Sequence, residues 1–355
     1  MSAQGIYQDI LRQPESLARV VDHHCGAGCA QMQAAAELVR DAPAVILTGM
    51  GASLIACMPL QYYLGAKGRR VVLLETAELL HYQPEICRGA VVVVVSRSGD
   101  TVEAGKLLDR LEGCGARVIG VTNEASGRLA RDAANVLLVA SSRDELVAIQ
   151  SYTGQLVTLM MLGSLACGEP EAEWRAGLDR VLSELGGVIE CHLESISGAR
   201  SFFENAPCVH LLGRGPSVGS CCQGALLFNE TAKLPAIALP AGQFRHGPVE
   251  VVDASFRGIV FAPSSKTRQL NLQLAQDLMS FGGSVRLIGP NDGGASGAPF
   301  WELPSDTCLF TPVFEVVPLQ IAAWQVAQWR GVVPGEFRYV SPVTLDEGSF
   351  PLRRK

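Results

Sequence analysis

The same ordered pair of landmarks occurs twice in this 355-residue chain, and that repetition limits the architecture more than any other feature. An apolar run at residues 44–47 closes on Gly49-Met50-Gly51-Ala52-Ser53, after which residues 54–64 carry helix periodicity. Residues 208–212 run into Gly213-Arg214-Gly215-Pro216-Ser217, the same G-x-G-x-S spacing 164 positions later. Residues 91–95 then lead into Ser96-Arg97-Ser98-Gly99-Asp100-Thr101, and residues 259–261 into Ala262-Pro263-Ser264-Ser265-Lys266-Thr267, with Ser98 and Ser264 166 apart. Two landmarks at nearly one offset are most economically explained by duplication. Each half carries a further apolar strand after a helix, at residues 118–121 and 284–288. Continuously apolar strands alternating with helices predict parallel sheets covered on both faces.

The joint is expected after Glu169-Pro170, where a charged, helix-periodic stretch at residues 171–193 links the halves. This gives a first domain at 1–190, with an N-terminal helix and the serine loop, and a second at 191–355, with a C-terminal tail. A hydrophobic content of 48% supplies a core for each. Charged residues are 18% and the net charge is -6, so there is no basic field for nucleic acid or an anionic membrane. Residues 1–22 mix Gln, Glu, Asp and Arg with apolar side chains, unlike a signal peptide, and no stretch approaches the ~20 apolar residues of a membrane span. Eleven cysteines, an odd number, are scattered through apolar stretches such as those around Cys57, Cys167 and Cys208, which predicts reduced thiols in a cytoplasmic protein. His23, His24, Cys25 and Cys29 lack a second Cys/His pair at zinc-like spacing, so surface histidines and partly buried thiols are expected there, and no metal.

Ligands of parallel sheets collect at the carboxyl ends of the strands. The turn from Ser96 to Thr101 places three hydroxyls and the freed backbone of Gly99 at a helix start, a set that can donate several hydrogen bonds to one phosphate. By itself such a turn also serves as a helix cap. Gly51 and Ser53 in the first turn are weaker signals, because G-x-G occurs at many strand-to-helix turns for close packing alone. The turn lacks the third glycine of a dinucleotide fingerprint, and Glu75 ends the next strand without the rest of that pattern, so no nicotinamide or other cofactor is expected. In the second half, Ala262, Pro263 and Ser265 replace the loop's first hydroxyl, the donor after it and its glycine, which predicts one phosphate site per chain. That half offers instead a helix-like stretch at residues 223–230 ending on Glu230, and His246 before Gly247-Pro248. A lone Glu on a helix is commonly solvated and a lone His commonly structural.

With these residues in view, the chain resembles the isomerase half of glucosamine-6-phosphate synthase and its relatives, the phosphosugar isomerases, deaminases and Amadori-compound deglycases with two SIS domains. The resemblance runs through Asp9 to Pro14, the S-x-S-G-x-T loop, the Gly213-Arg214-Gly215 turn, Glu230, His246-Gly247-Pro248 and the tail segment Val316-Val317-Pro318-Leu319-Gln320. It implies an α/β fold of two tandem SIS domains, each a three-layer αβα sandwich around a mainly parallel, flavodoxin-like sheet. It implies that Glu230 shuttles a proton between C1 and C2 and that His246 assists ring opening or leaving-group protonation, reaching in from a second subunit of a homodimer. A desolvated carboxylate beside a weakly acidic C–H is an effective base, and burial should raise its pKa. Three departures bear on the reaction. Ser341 stands where the synthase has its Schiff-base lysine, Leu227 replaces a lysine three residues before Glu230, and Gln150 stands where a lysine is common. Ser2 follows Met1 where the synthase has a nucleophilic cysteine, so glutamine-driven amination is not expected. The implied ligand is a phosphorylated sugar or amino sugar, with Ser53, Ser96, Ser98, Thr101, Gly51, Gly99 and Ser341 around it. The implied activity is isomerisation or amine removal, against the alternative of a non-catalytic sugar-phosphate sensor.

Overall fold

A computed structural model of the chain describes residues 5–291, 297–305, 309–339, 343, 344 and 346–348. Ser341 lies outside the described residues. Two compact units divide the chain: a first of Arg12–Ala176 with Phe337–Lys355, and a second of Met1–Leu11 with Gly177–Glu336.

The first unit holds strands β1 (Val45–Gly49), β2 (Val71–Glu75), β3 (Val91–Val95), β4 (Arg117–Thr122) and β5 (Asn135–Leu138). All pair in parallel, in the order β2-β1-β3-β4-β5. The second unit holds β6 (Val209–Gly213), β7 (Ala236–Pro240), β8 (Arg257–Phe261), β9 (Ser284–Gly289) and β10 (Phe300–Glu302), parallel throughout, in the order β10-β9-β8-β6-β7. Matched strand by strand, the two orders are the same 2-1-3-4-5 arrangement, so the duplication read from the turns extends to the whole sheet. Sequence composition follows position: β3, five valines in the centre, is at most 1% exposed, whereas β2 and β7 at sheet edges leave Val72 and Ile237 39% and 47% exposed. Each fully buried valine contributes roughly 1.5–3 kcal/mol.

The helix after β6 runs Ser217–Leu227 and is largely buried. It packs on β7 and on helix Thr311–Trp329 of the same unit, which is why Gly224 is needed there: a Cβ would press on Leu211 and Leu319.

Glu75 caps helix Thr76–Tyr82 by accepting from the Glu78 amide at 2.9 Å. His24 is also not a surface residue: it is 2% exposed, with Nε2 2.9 Å from the Thr158 hydroxyl. No group of residues able to hold a metal ion occurs among the described residues, and no described helix is long and apolar enough to cross a membrane. Burial, and secondarily the neighbouring His23, lowers the His24 pKa from 6.5 to about 4. The unfolded chain therefore binds a proton that the folded chain refuses, and stability falls as pH drops from about 6.5 to about 4, by about 3 kcal/mol in all. Urea unfolding across that window should show the loss, and His24→Gln should flatten it. An unchanged slope in the variant would mean that His24 is not the responsible group.

Candidate active site

In the first unit β1 and β3 lie side by side, with Gly49 opposite Val95 at their carboxyl ends. From there the chain returns through helix Ala52–Ala66 to β2 on one side and through helix Val102–Leu111 to β4 on the other. This reversal opens a crevice at the sheet's carboxyl edge, and both serine-bearing turns begin at it. Ser53 is 8% exposed in the first turn of its helix, and Gly51 before it has φ +51°, a left-handed conformation suited to glycine.

The second turn is held tightly. The Ser96 hydroxyl accepts from the Gly99 amide at 3.2 Å and the Ser98 hydroxyl from the Asp100 amide at 3.2 Å. Asp100 in turn accepts from the Arg128 amide at 2.7 Å, and the Gly99 carbonyl from the Leu129 amide at 3.0 Å. Gly127 lets the backbone at Ser98 approach, since a Cβ on it would lie 2.5 Å from the Ser98 carbonyl oxygen. Ser96 and Ser98 thus do serve as local caps. Thr101 does not: it occupies the N-cap of helix Val102–Leu111 without capping it, and its buried hydroxyl has no hydrogen-bond partner among the described residues. A buried hydroxyl left unpaired costs free energy, which a bound acceptor would recover. The tail closes part of the same helix start: the Thr344 carbonyl accepts from the Val102 amide at 3.1 Å, and Glu347 pairs with His81 at 2.6 Å and Lys106 at 2.7 Å.

Asp144 was not legible as a site residue. Its carboxylate is 7% exposed and accepts from the Gln150 and Ser151 amides at 2.7 and 3.1 Å and from the Ser151 hydroxyl, so it caps helix Gln150–Ala166 from six residues upstream. That reach is outside the N-cap to N3 window in which sequence patterns reveal caps. Burial pushes the Asp144 pKa up, while the Ser151 hydroxyl and the two amides oppose the shift. Arg97, within the serine loop, extends to the Leu146 carbonyl at 3.4 Å, tying the loop to the segment that precedes Gln150.

In the second unit the corresponding turns are bonded by side chains of the protein. Arg268 is 8% exposed and donates to the carbonyls of Ala262 and of Pro290, the latter at 2.7 Å. Ser217, the counterpart of Ser53, donates to Glu315 at 2.6 Å, and Ser220 donates to the other Glu315 oxygen at 2.5 Å. Thr267, the counterpart of Thr101, has its hydroxyl 3.3 Å from that of Ser265, where the first unit leaves the hydroxyl unpaired among the described residues.

Glu230 lies in a π-helical turn, Phe228–Ala232, that continues helix Ser217–Leu227. Such turns recur at functional positions. Glu230 is half-buried, and its backbone carbonyl accepts from Lys233, which ends the turn at φ +52°. Asn229 beside it exchanges hydrogen bonds with Ala236 at 3.2 Å each, placing the turn at the amino end of β7. His246 follows β7 through helix Ala241–Phe244, is exposed, and precedes Gly247, whose φ is +115°. A Cβ on Gly242 would meet Arg214 at 3.0 Å, which puts this segment beside the turn at the carboxyl end of β6. The two residues therefore sit at opposite ends of a strand roughly 13 Å long, and this unit does not bring them together.

A family model for the SIS domain matches residues 38–165, the span from helix Cys29–Asp41 through β1–β5 and both serine-bearing turns. Residues 38–165 are a SIS domain. The second unit repeats the sheet order of this SIS domain, and the chain has the tandem SIS fold. It is 27% identical over 98% of its length to a glutamine–fructose-6-phosphate aminotransferase (isomerizing) of Pyrobaculum aerophilum, of which it spans 59%. The C-terminal domain of glucosamine-fructose-6-phosphate aminotransferase from Francisella tularensis matches with a TM-score of 0.80 at 19% identity, covering 92% of this chain and 95% of that one. Glucosamine-6-phosphate deaminase of Thermotoga maritima matches with a TM-score of 0.79 at 19% identity, covering 96% and 99%. At that identity the two structures establish the tandem SIS fold alone.

Proposed function

We propose that the chain is an enzyme acting on a 6-phosphosugar or an amino-sugar phosphate, with Ser53, Ser96, Ser98 and Thr101, shaped by Gly51 and Gly99, binding the phosphate. The observation that carries this reading is the unpaired Thr101 hydroxyl at a helix start in the crevice between β1 and β3. Helix starts and hydroxyls suit an anion, and the names of the relatives concern 6-phosphosugars. In the proposed reaction the Glu230 carboxylate takes the C2 proton of the open-chain aldose and an enediol, or an enolamine from an amino sugar, forms. The same carboxyl returns the proton at C1. In isomerisation a proton also passes from the C2 hydroxyl to the C1 oxygen, so that nothing is gained or lost overall. In deamination water adds to the C2 imine and ammonia leaves, protonated by His246. Ser341 has no amine, so no Schiff base forms there. Incubation with glucosamine 6-phosphate should release ammonia if the amine is removed. Interconversion of fructose and glucose 6-phosphates without ammonia would assign isomerisation, and neither product would count against the enzyme reading.

The positions of Glu230 and His246 at opposite ends of β7 support a homodimer in which His246 comes from a second copy. Light scattering should give twice the chain mass. Mixing Glu230→Gln and His246→Ala proteins, each inactive alone, should restore about a quarter of wild-type activity through mixed dimers. A monomer, or no restoration after subunit exchange, would contradict the shared site.

The absence of lysine at Gln150, Leu227 and Ser341 favours a second reading, a sugar-phosphate sensor that binds without turnover.

A further inference from the structure

A cavity of about 340 Å³ opens in the first unit between the end of helix Gln13–Cys25, the start of helix Cys29–Asp41 and the edge strand β5. None of the serine-loop residues lines it. Its polar lining is His23, His24, Gln31 and Asn135; the rest is aliphatic, including Val136 and Leu137, and no lysine, arginine or carboxylate faces it.

Two polar atoms of this lining are buried without a hydrogen-bond partner: His24 Nδ1 and Asn135 Oδ1. Their chemistry is constrained from behind. Asn135 Nδ2 donates to the Gln31 carbonyl at 3.4 Å, and a carbonyl can only accept, so the amide is oriented with its oxygen left over as an acceptor. His24 Nε2 faces the Thr158 hydroxyl at 2.9 Å; when it accepts that proton, Nδ1 carries hydrogen and becomes a donor. With its pKa lowered to about 4, the ring is neutral at physiological pH and gives no attraction to an anion.

We propose that this cavity is a second ligand site, taking an uncharged, flat molecule with a carboxamide or lactam edge, whose N–H bonds Asn135 Oδ1 and whose carbonyl accepts from His24 Nδ1. A polyol fits poorly, because four polar side chains cannot satisfy hydroxyls on every side of a sugar, whereas a ring with apolar faces and one polar edge matches aliphatic walls with one donor beside one acceptor. The cavity's size admits a single-ring amide with room for a substituent. Gly28 shapes the floor, since a Cβ there would lie 2.7 Å from His23 Nε2 and would force that ring to move.

Benzamide is a suitable probe, with benzoate as its charged isostere and benzyl alcohol as the ring without the amide edge. Titration of the full chain by calorimetry, followed by ¹⁵N-detected spectra of the histidine rings, should show benzamide binding, with benzoate and benzyl alcohol each weaker by about tenfold or more, as the loss of one or two buried hydrogen bonds requires. The His24 ring signals should move to those of the Nδ1–H tautomer on binding, and Asn135→Ala should weaken benzamide by about tenfold. Equal affinity for benzamide and benzyl alcohol would overturn the proposal. So would binding that leaves the His24 signals unmoved, or a cavity that keeps only ordered water at high benzamide concentration. The wild-type comparison of the three probes decides the matter even if the Asn135 variant does not fold.

Discussion

Glu230→Gln is expected to lower kcat on the active phosphosugar by about 10³-fold while leaving its affinity within about twofold. Gln keeps the shape and hydrogen-bonding span of the side chain but cannot accept a proton from carbon, and a positioned general base contributes about 10²–10⁴ in rate. The residue sits half-buried in a π-helical turn beside the amino end of β7, where the widened helix carries the side chain to a position that regular helical geometry would not give it. Comparing kcat with the ligand's Kd separates the two readings of the chain. An enzyme loses turnover and keeps binding, whereas a sensor shows no turnover in either form. Activity equal to wild type in the variant would remove Glu230 from the mechanism.

A large loss of stability on substitution is expected at Glu315, which is not one of the predicted site residues. Its carboxylate is 1% exposed, burial pushes its pKa up, and both oxygens are occupied by Ser217 and Ser220. Glu315→Ala would leave two serine hydroxyls facing a void beneath helix Thr311–Trp329, and should cost about 3 kcal/mol, less whatever the serines recover by turning to their own helix carbonyls. Glu315→Gln keeps the volume, and rotatable hydroxyls can face either an amide oxygen or an amide nitrogen, so it should cost about 1 kcal/mol or less. Urea midpoints of the three proteins test the contrast. Equal losses for Ala and Gln would mean that the charge, rather than the filled and bonded space, is what matters there.

Much of the fold was legible because the repeat was written in turns, which sequence shows well. The valine run of β3 and the strands near residues 118 and 284 were each visible as apolar blocks bounded by glycine or serine. The half-exposed edge strands β2 and β7 and the short β5 and β10 were less so, since their identity comes from sheet order, a tertiary fact. The serine loop could be named from its hydroxyls, yet only the structure separates Ser96 and Ser98, which cap their own turn, from Thr101, which does not. Long-range bonds hid other features. Asp144 caps from six residues away, His24 bonds Thr158, and Arg268 reaches the Pro290 carbonyl. The placing of Glu230 and His246 at opposite ends of β7 could not be read from their spacing in the sequence; only the family resemblance, which has the histidine reach in from a second subunit, pointed that way.

The central claim is that the crevice between β1 and β3 binds the phosphate of a sugar. The most direct measurement is the thermal midpoint of wild type and of Thr101→Val in the presence of fructose, glucosamine and N-acetylglucosamine, each with and without a 6-phosphate. Binding to the folded state alone raises the midpoint, and a ligand at 100 times its Kd adds about 2.7 kcal/mol. The account predicts a rise with at least one phosphorylated sugar, none with its unphosphorylated form, and loss of the rise in Thr101→Val, which keeps the side-chain shape but has no hydroxyl. A rise that persists without the phosphate, or that Thr101→Val leaves intact, would contradict it.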